Sequence, residues 1–188
     1  LLMQKQKKME NLDNRITTYK QIIEETRGKL AAEKKKIYRI GTIRVLLFIV
    51  GIAGVIYFFT AGWLAICGVI ACTFVPLLAL VKYHNQLFYK KDYLEKKIEI
   101  NEQELSTIDY DASAFDGGEE YIDAAHLYSY DLDVFGDNSL FQYANRTSTS
   151  FGKEKLANWF NKHLDNKGMI EERQEAVREL APELRFRQ

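Results

Sequence analysis

From Val45 to Val81 the chain runs for 37 residues, VLLFIVGIAGVIYFFTAGWLAICGVIACTFVPLLALV, without one Asp, Glu, Lys or Arg. A membrane-crossing helix needs about 20 apolar residues, so this run is nearly twice too long for one span and about right for two. Thr60-Ala61-Gly62 are small and turn-tolerant. They predict a first span over Val45 to Phe59 and a second over Trp63 to Val81. The alternative, a buried hairpin of a soluble protein, would keep a polar residue at every third or fourth position, and neither half does. Tyr57, Phe58, Phe59 and Trp63 gather at the turn, and Tyr38 and Tyr83 lie beyond the other ends, as aromatic belts do at membrane interfaces. On the second span Ala61, Ala65, Gly68 and Cys72 make a small-residue stripe against which Gly51 and Gly54 are expected to pack. Pro76 should bend this span only locally.

Orientation follows from charge. Lys34, Lys35, Lys36, Arg39 and Arg44 precede the first span, and Lys82, Lys90, Lys91, Lys96 and Lys97 follow the second. The turn between has no charge, so the positive-inside rule places both termini in the cytoplasm. The chain balances 26 basic against 26 acidic residues, but unevenly. Residues 1–44 carry +7, 82–108 carry 0, 109–137 carry −9 and 138–188 carry +2. The basic excess beside the first span serves topology and also attracts anionic lipid head groups.

Outside the apolar run, Leu2, Met9, Leu12, Ile16, Tyr19, Ile23 and Leu30 alternate at spacings of three and four, with Thr26 filling a gap. Leu87, Leu94, Ile98, Leu105 and Ile108 do the same after it, interrupted by Lys91 and Asn101. Each is a coiled-coil seam that wants a partner. A hairpin brings them together as an antiparallel cytoplasmic stalk, while homodimerisation through the same stripes is the competing arrangement.

Cys67 and Cys72 both fall in the second span, where they act as small apolar residues and not as a disulfide or metal framework. The start at Leu1 is not an initiator Met and lacks the apolar core of a cleavable signal, and Pro182 looks like the first turn of a further helix, so the chain is expected to be part of something longer. After Ile108 the periodicity fails. Residues 109–125 read as an acidic surface connector with a turn at Gly117-Gly118. Asp131 and Asp133, alternating with Leu132 and Val134, suggest a short strand with solvated carboxylates and not a cation loop. Ser139 should cap a helix over Leu140 to Arg146, and Ser150 the next, with Phe151, Leu156, Trp159 and Phe160 on its apolar face and Lys153, Glu154 and Lys155 in water. Asn145, Arg146 and Thr147 then fix the junction between them by hydrogen bonds, in preference to touching DNA or nucleotide.

The run from Tyr130 to Phe160, YDLDVFGDNSLFQYANRTSTSFGKEKLANWF, resembles the start of the lever, or core, domain of MutS-type mismatch-repair ATPases. There a Leu-rich turn leads to an Asn/Asp-Arg-Thr, a Thr, a Gly and a Leu-x-x-Trp helix. Ile170, Arg173, Gln174, Ala176, Val177 and Leu180 fit the family's next helix, and the likeness covers about His126 to Gln188. With the hairpin included, the layout is similar to a membrane-anchored bacterial branch of that family. His163-Leu164 departs from it, since the family often has a Pro after the Trp helix, and the mismatch-reading domain with its Phe-x-Glu wedge has no counterpart.

The expected architecture is therefore mainly α. Residues 1–44 form a cytoplasmic amphipathic helix, 45–81 a transmembrane hairpin, 82–108 the second stalk helix, 109–125 the connector, and 126–188 an incomplete all-α lever domain entered through the short strand. The resemblance implies an anchoring and coupling portion of a MutS-like ATPase in the bacterial inner membrane. ATP and Mg would be held by an ABC-type ATPase domain after Gln188, and that domain would homodimerise. The alternative is a stand-alone membrane scaffold with no ATPase or DNA role. Within these residues no catalytic, cofactor or metal residues are expected. His84, His126 and His163 lie in unrelated contexts, and Gly152-Lys153 lacks the upstream Gly and following Ser/Thr of a phosphate loop. Apart from its own ATPase domain and a second copy, the bilayer is the expected partner. Strong DNA binding is not expected, because the −9 segment repels phosphate and the +2 end is too weakly basic.

Overall fold

A computed structural model of the chain describes the backbone of residues 2–184 and 186, and the side chains of residues 9, 10, 12–60, 62–184 and 186. It is mainly helical, in two compact units, residues 1–101 and 102–188.

The first unit holds two long helices, α1 (Leu2–Tyr57) and most of α2 (Trp63–Ile108), joined by a single 3-10 turn over Phe59–Ala61 and by Gly62. Gly62 has φ +100°, a backbone angle open to glycine and strained for other residues, and this is where the chain reverses. Both helices are long and apolar enough to cross a membrane. Only 6 % of the most apolar window of α1 and 0 % of that of α2 is buried, so these faces do not form the interior of this unit. Pro76 sits inside α2 without ending it. One turn earlier the Thr73 hydroxyl donates to the carbonyls of Val69 and Ile70, at 2.9 and 3.1 Å.

Contacts between the helices climb on α2 as they descend on α1. A Cβ added to Gly54 would lie 2.9 Å from Val69 Cγ1, one added to Gly51 would lie 3.2 Å from Thr73 Cγ2, and Lys34 pairs with Glu95 at 3.0 Å. The glycines thus form notches for β-branched side chains. This differs from the expected packing at Gly68 and Cys72: Gly68 has open space around its Cβ position and Cys72 is exposed. Two notches and two branched side chains interlock, whereas small residues on both sides would leave a gap. Ala61, the fourth member of that stripe, is outside the described side chains, as is Leu2 of the seam.

Further along, Tyr19, Ile23, Thr26, Leu30 and Ile40 of α1 are buried, as are Leu87 and Asn101 of α2. Leu94 and Ile98 are half-buried, while Met9 and Leu12 are exposed. Thr26 and Asn101, which read as gaps in the apolar pattern, are seam positions with 4 % and 0 % exposure. Asn101 donates back along its own helix, to Lys97 O at 2.6 Å.

The second unit is built on the last turns of α2, a 3-10 turn over Glu119–Tyr121, and α3 (Leu140–Ala144), α4 (Ser150–Asn161) and α5 (Lys167–Leu180). The α2 terminus closes with Asp111 N–H bonded to Ser106 O and Tyr110 N–H to Thr107 O, with Tyr110 at φ +65°. Such paired bonds around a left-handed residue satisfy the last helical carbonyls. Val134, Phe135, Phe141 and Ala157 form the core, with Tyr121, Leu156 and Phe160 packed on it.

Four expectations are corrected or refined here. No strand occurs among the described residues. At 131–134 the backbone closes on itself instead, with Leu132 N–H on Tyr128 O, Asp133 N–H on Tyr130 O and Val134 N–H on Ser129 O, so no neighbouring strand is needed. Leu132 consequently faces out while Val134 is buried. Second, the acidic segment is not solvated throughout: its carboxylates are exposed, but its glycine turn packs inward. Gly117 and Gly118 are buried, Gly136 N–H donates to Gly117 O at 2.8 Å, and Gly118, at φ +70°, lies under the Phe141 ring. Third, α4 is capped by Thr149, whose hydroxyl accepts from Gly152 N–H, and Ser150 is its first helical residue. The Ser139 cap on α3 is as expected, accepting from Gln142 N–H at 3.1 Å. After α5 the described residues 181–184 and 186 make bends and turns, not the helix expected from Pro182.

Candidate functional site

The densest polar constellation lies where the end of α2, the acidic segment and the α3–α4 junction meet inside the second unit. Arg146 is at its centre. Its guanidinium reaches Glu104 on α2 through Nε, at 2.7 Å, and Nη2, at 3.4 Å. Nη2 also reaches the Thr107 hydroxyl, and Nη1 donates to the carbonyls of Tyr143 and Asn145. One face of the plane covers the Phe115 ring. A planar fork with five donors does what a lysine ammonium does not: it bonds a carboxylate on one edge, two carbonyls on another, and stacks.

Beside it, Asn145 donates to Asp116 O at 2.9 Å and accepts from the Thr147 N–H and hydroxyl. Gln142 donates to Phe115 O at 2.9 Å and accepts from Asn138 N–H at 2.7 Å. Two buried amides thus stitch the acidic segment to α3. The sequence reading placed Asn145, Arg146 and Thr147 at the junction but missed Gln142, which carries no motif signal, and missed what they hold.

Charge closes the other side. Lys153 of α4 pairs with Asp116, at 2.7 Å, and with Glu120, and its ammonium lies over the Tyr121 ring. The Lys153 hydrogen bond holds the Asp116 carboxyl below its ordinary value, helped by Gly118 N–H, and does the same to Glu120. Reciprocally, Lys153 is pushed up by Asp116 first and Glu120 second. Lys153 is therefore a tether, only partly open to water.

The remaining singled-out residues sit apart. His126 bonds the Asn161 carbonyl through Nε2 at 3.1 Å and Ser129 N–H through Nδ1, and Tyr128 donates to Phe160 O. His163 faces Asp165 in solvent. Asp131 and Asp133 are exposed. Among the described residues no group of three or more His, Cys, Asp or Glu is placed to share a metal ion. Nor do Gly152 and Lys153 fit a nucleotide, since the Gly152 N–H is taken by Thr149 and Lys153 by two carboxylates. Within the second unit the arrangement ties Glu104 and Thr107 of α2 to the α3–α4 junction. Compared with known proteins, the chain matches no family model, no curated protein and no solved structure.

Proposed function

We propose that this chain is the membrane-anchoring and lever-domain portion of a MutS-like ATPase of the bacterial inner membrane. α1 and α2 cross the bilayer as a hairpin over residues 45–81, both chain ends lie in the cytoplasm, and the helices continue there as an antiparallel stalk. The second unit begins the lever domain, and ATP and Mg are bound after Gln188 by an ATPase domain that dimerises. The observation that carries the membrane half is the exposure of the charge-free faces of two long helices, since a water-soluble hairpin would bury them. The lever half rests on the run from Tyr130 to Phe160. In support of a coupling role, Arg146 and Glu104 tie the α2 terminus to the residues of that run.

The test has two arms. In a background lacking Cys67 and Cys72, a Cys at Thr60 should react with an impermeant thiol reagent from outside the cell, and one at Lys20 only after permeabilisation. Labelling of the opposite sense would reject the topology. For the ATPase, the coding sequence following Gln188 should supply a Gly-rich loop ending in Gly-Lys-Ser/Thr. A stop codon there would favour the stand-alone scaffold.

A further inference from the structure

We infer that one open side of the α1–α2 pair binds a single anionic phospholipid, an inference that rests on the membrane reading above. Gly41, Arg44, Val45 and Phe48 form a stripe on α1 at i, i+3, i+4 and i+7, and with Leu77 and His84 of α2 they line a groove of about 450 Å³. Phe48 and Leu77 are also shared with a second groove of about 340 Å³, which continues past Gly51 and Thr73 toward Ile56. Together they make one trough, polar at the Arg44–His84 end and apolar thereafter. From Arg44 to Ile56 is twelve residues, or roughly 18 Å at 1.5 Å per residue. One leaflet of hydrocarbon is roughly 15 Å deep. An acyl chain therefore fits along it with its head group at the mouth.

Charge says which head group. Between Glu33 and Asp92 the sequence holds no carboxylate. Three basic residues flanking the apolar run find partners, Lys36 with Glu33, Lys34 with Glu95, and Lys91 with Glu95 and Asp92. Arg39, Arg44 and Lys82 have none among the described residues, although Arg44 adjoins the apolar run. At the same mouth His84 Nδ1 is buried without a hydrogen-bond partner. Buried polar atoms of this kind ordinarily have one. A zwitterionic lipid would fill the trough but leave the cationic excess uncompensated, and a soluble phosphate would meet Arg44 but leave the trough empty. A phosphodiester carrying net negative charge on an acyl chain satisfies both.

The experiment uses the full chain reconstituted in phosphatidylcholine vesicles with trace phosphatidylglycerol or phosphatidylcholine, each spin-labelled near the end of one acyl chain. Resistance of the chain to carbonate extraction is checked first. Phosphatidylglycerol should be motionally restricted by the protein about fivefold more strongly than phosphatidylcholine, the factor that about one compensated basic residue supplies. Arg44→Gln should bring the two lipids near parity, Arg44→Lys should keep most of the preference, and Ile52→Trp, at an exposed position lining the groove, should lower it by filling the trough with every charge retained. Lys90→Gln, which removes a charge away from the groove, should change it little, and millimolar inorganic phosphate should not compete. Equal losses in Arg44→Gln and Lys90→Gln, no preference at all, or displacement by phosphate would each overturn the site while leaving the membrane reading intact. Chain that washes off in carbonate would overturn both.

Discussion

The guanidinium of Arg146 stacks on the ring of Phe115, its Cζ 3.7 Å from the ring centroid, while its edge holds Glu104 at 2.7 Å. One side chain from the α3–α4 junction therefore secures both the acidic segment and the end of α2. Arg146→Lys keeps the charge but loses the fork and the stack, and should cost the second unit about 1–2 kcal/mol. Hydrogen exchange should show the loss as faster opening of residues 104–116, and a double-mutant cycle with Glu104→Gln should give a coupling energy clearly different from zero. Independent effects would mean that the pair is incidental.

Gly117 should be intolerant of any side chain. A Cβ there would sit 2.4 Å from the Gly136 carbonyl oxygen, a backbone atom that has no rotamer to move. Gly117→Ala is expected to cost roughly 3 kcal/mol, at the upper end of overpacking penalties. Gly28→Ala is the contrast: nothing lies within 4 Å of its Cβ position inside α1, so the substitution should stabilise by about 0.5–1 kcal/mol. Thermal unfolding followed by circular dichroism separates the two directions.

The Lys153 tether predicts a pH dependence. Asp116 and Glu120 have carboxyls lowered from ordinary values of 3.8 and 4.5, so their contribution is complete above those values and is lost as pH falls through the depressed folded ones. For Lys153, raised from 10.5, the contribution is complete below that value and lost as pH climbs above it. Between these limits the tether should be constant. Because all three groups are partly in solvent, salt should weaken it. Lys153→Met should flatten the acid limb of the stability profile of the second unit, and an unchanged limb would show that other carboxylates govern it.

Asn101 should set the register of the α1–α2 seam at some expense of stability, as single polar residues do in coiled-coil cores. Asn101→Leu is expected to leave thermal stability level or raised by about 1 kcal/mol while loosening register. Disulfide trapping reads it: Lys34→Cys should cross-link to Glu95→Cys in the parent, and to the heptad-shifted Phe88→Cys only once Asn101 is replaced.

Much of the first unit was written in the residues alone. A charge-free run of 37 residues admits few outcomes, and its interruption at Gly62 marks the reversal because only glycine accepts that backbone angle without strain. The Ser139 cap and the α4 helix were legible for the same reason, since caps and helical periodicity are local physics, whereas the helix at α5 was expected only from the resemblance. Tertiary structure decided what is non-local. Residues 109–125 read as a solvated connector, and their carboxylates are exposed, but Gln142, Asn145 and Lys153, up to 37 residues away along the chain, supply the donors that pin the backbone at Phe115 and Asp116 and the Asp116 carboxylate, while Arg146 stacks on Phe115. Thr26 and Asn101 read as breaks in an apolar pattern, yet both are seam positions, because burial is set by the facing helix and not by the side chain's own polarity. Val134 and Leu132 alternate as a strand would, but turns that satisfied their own hydrogen bonds left them no need of a sheet.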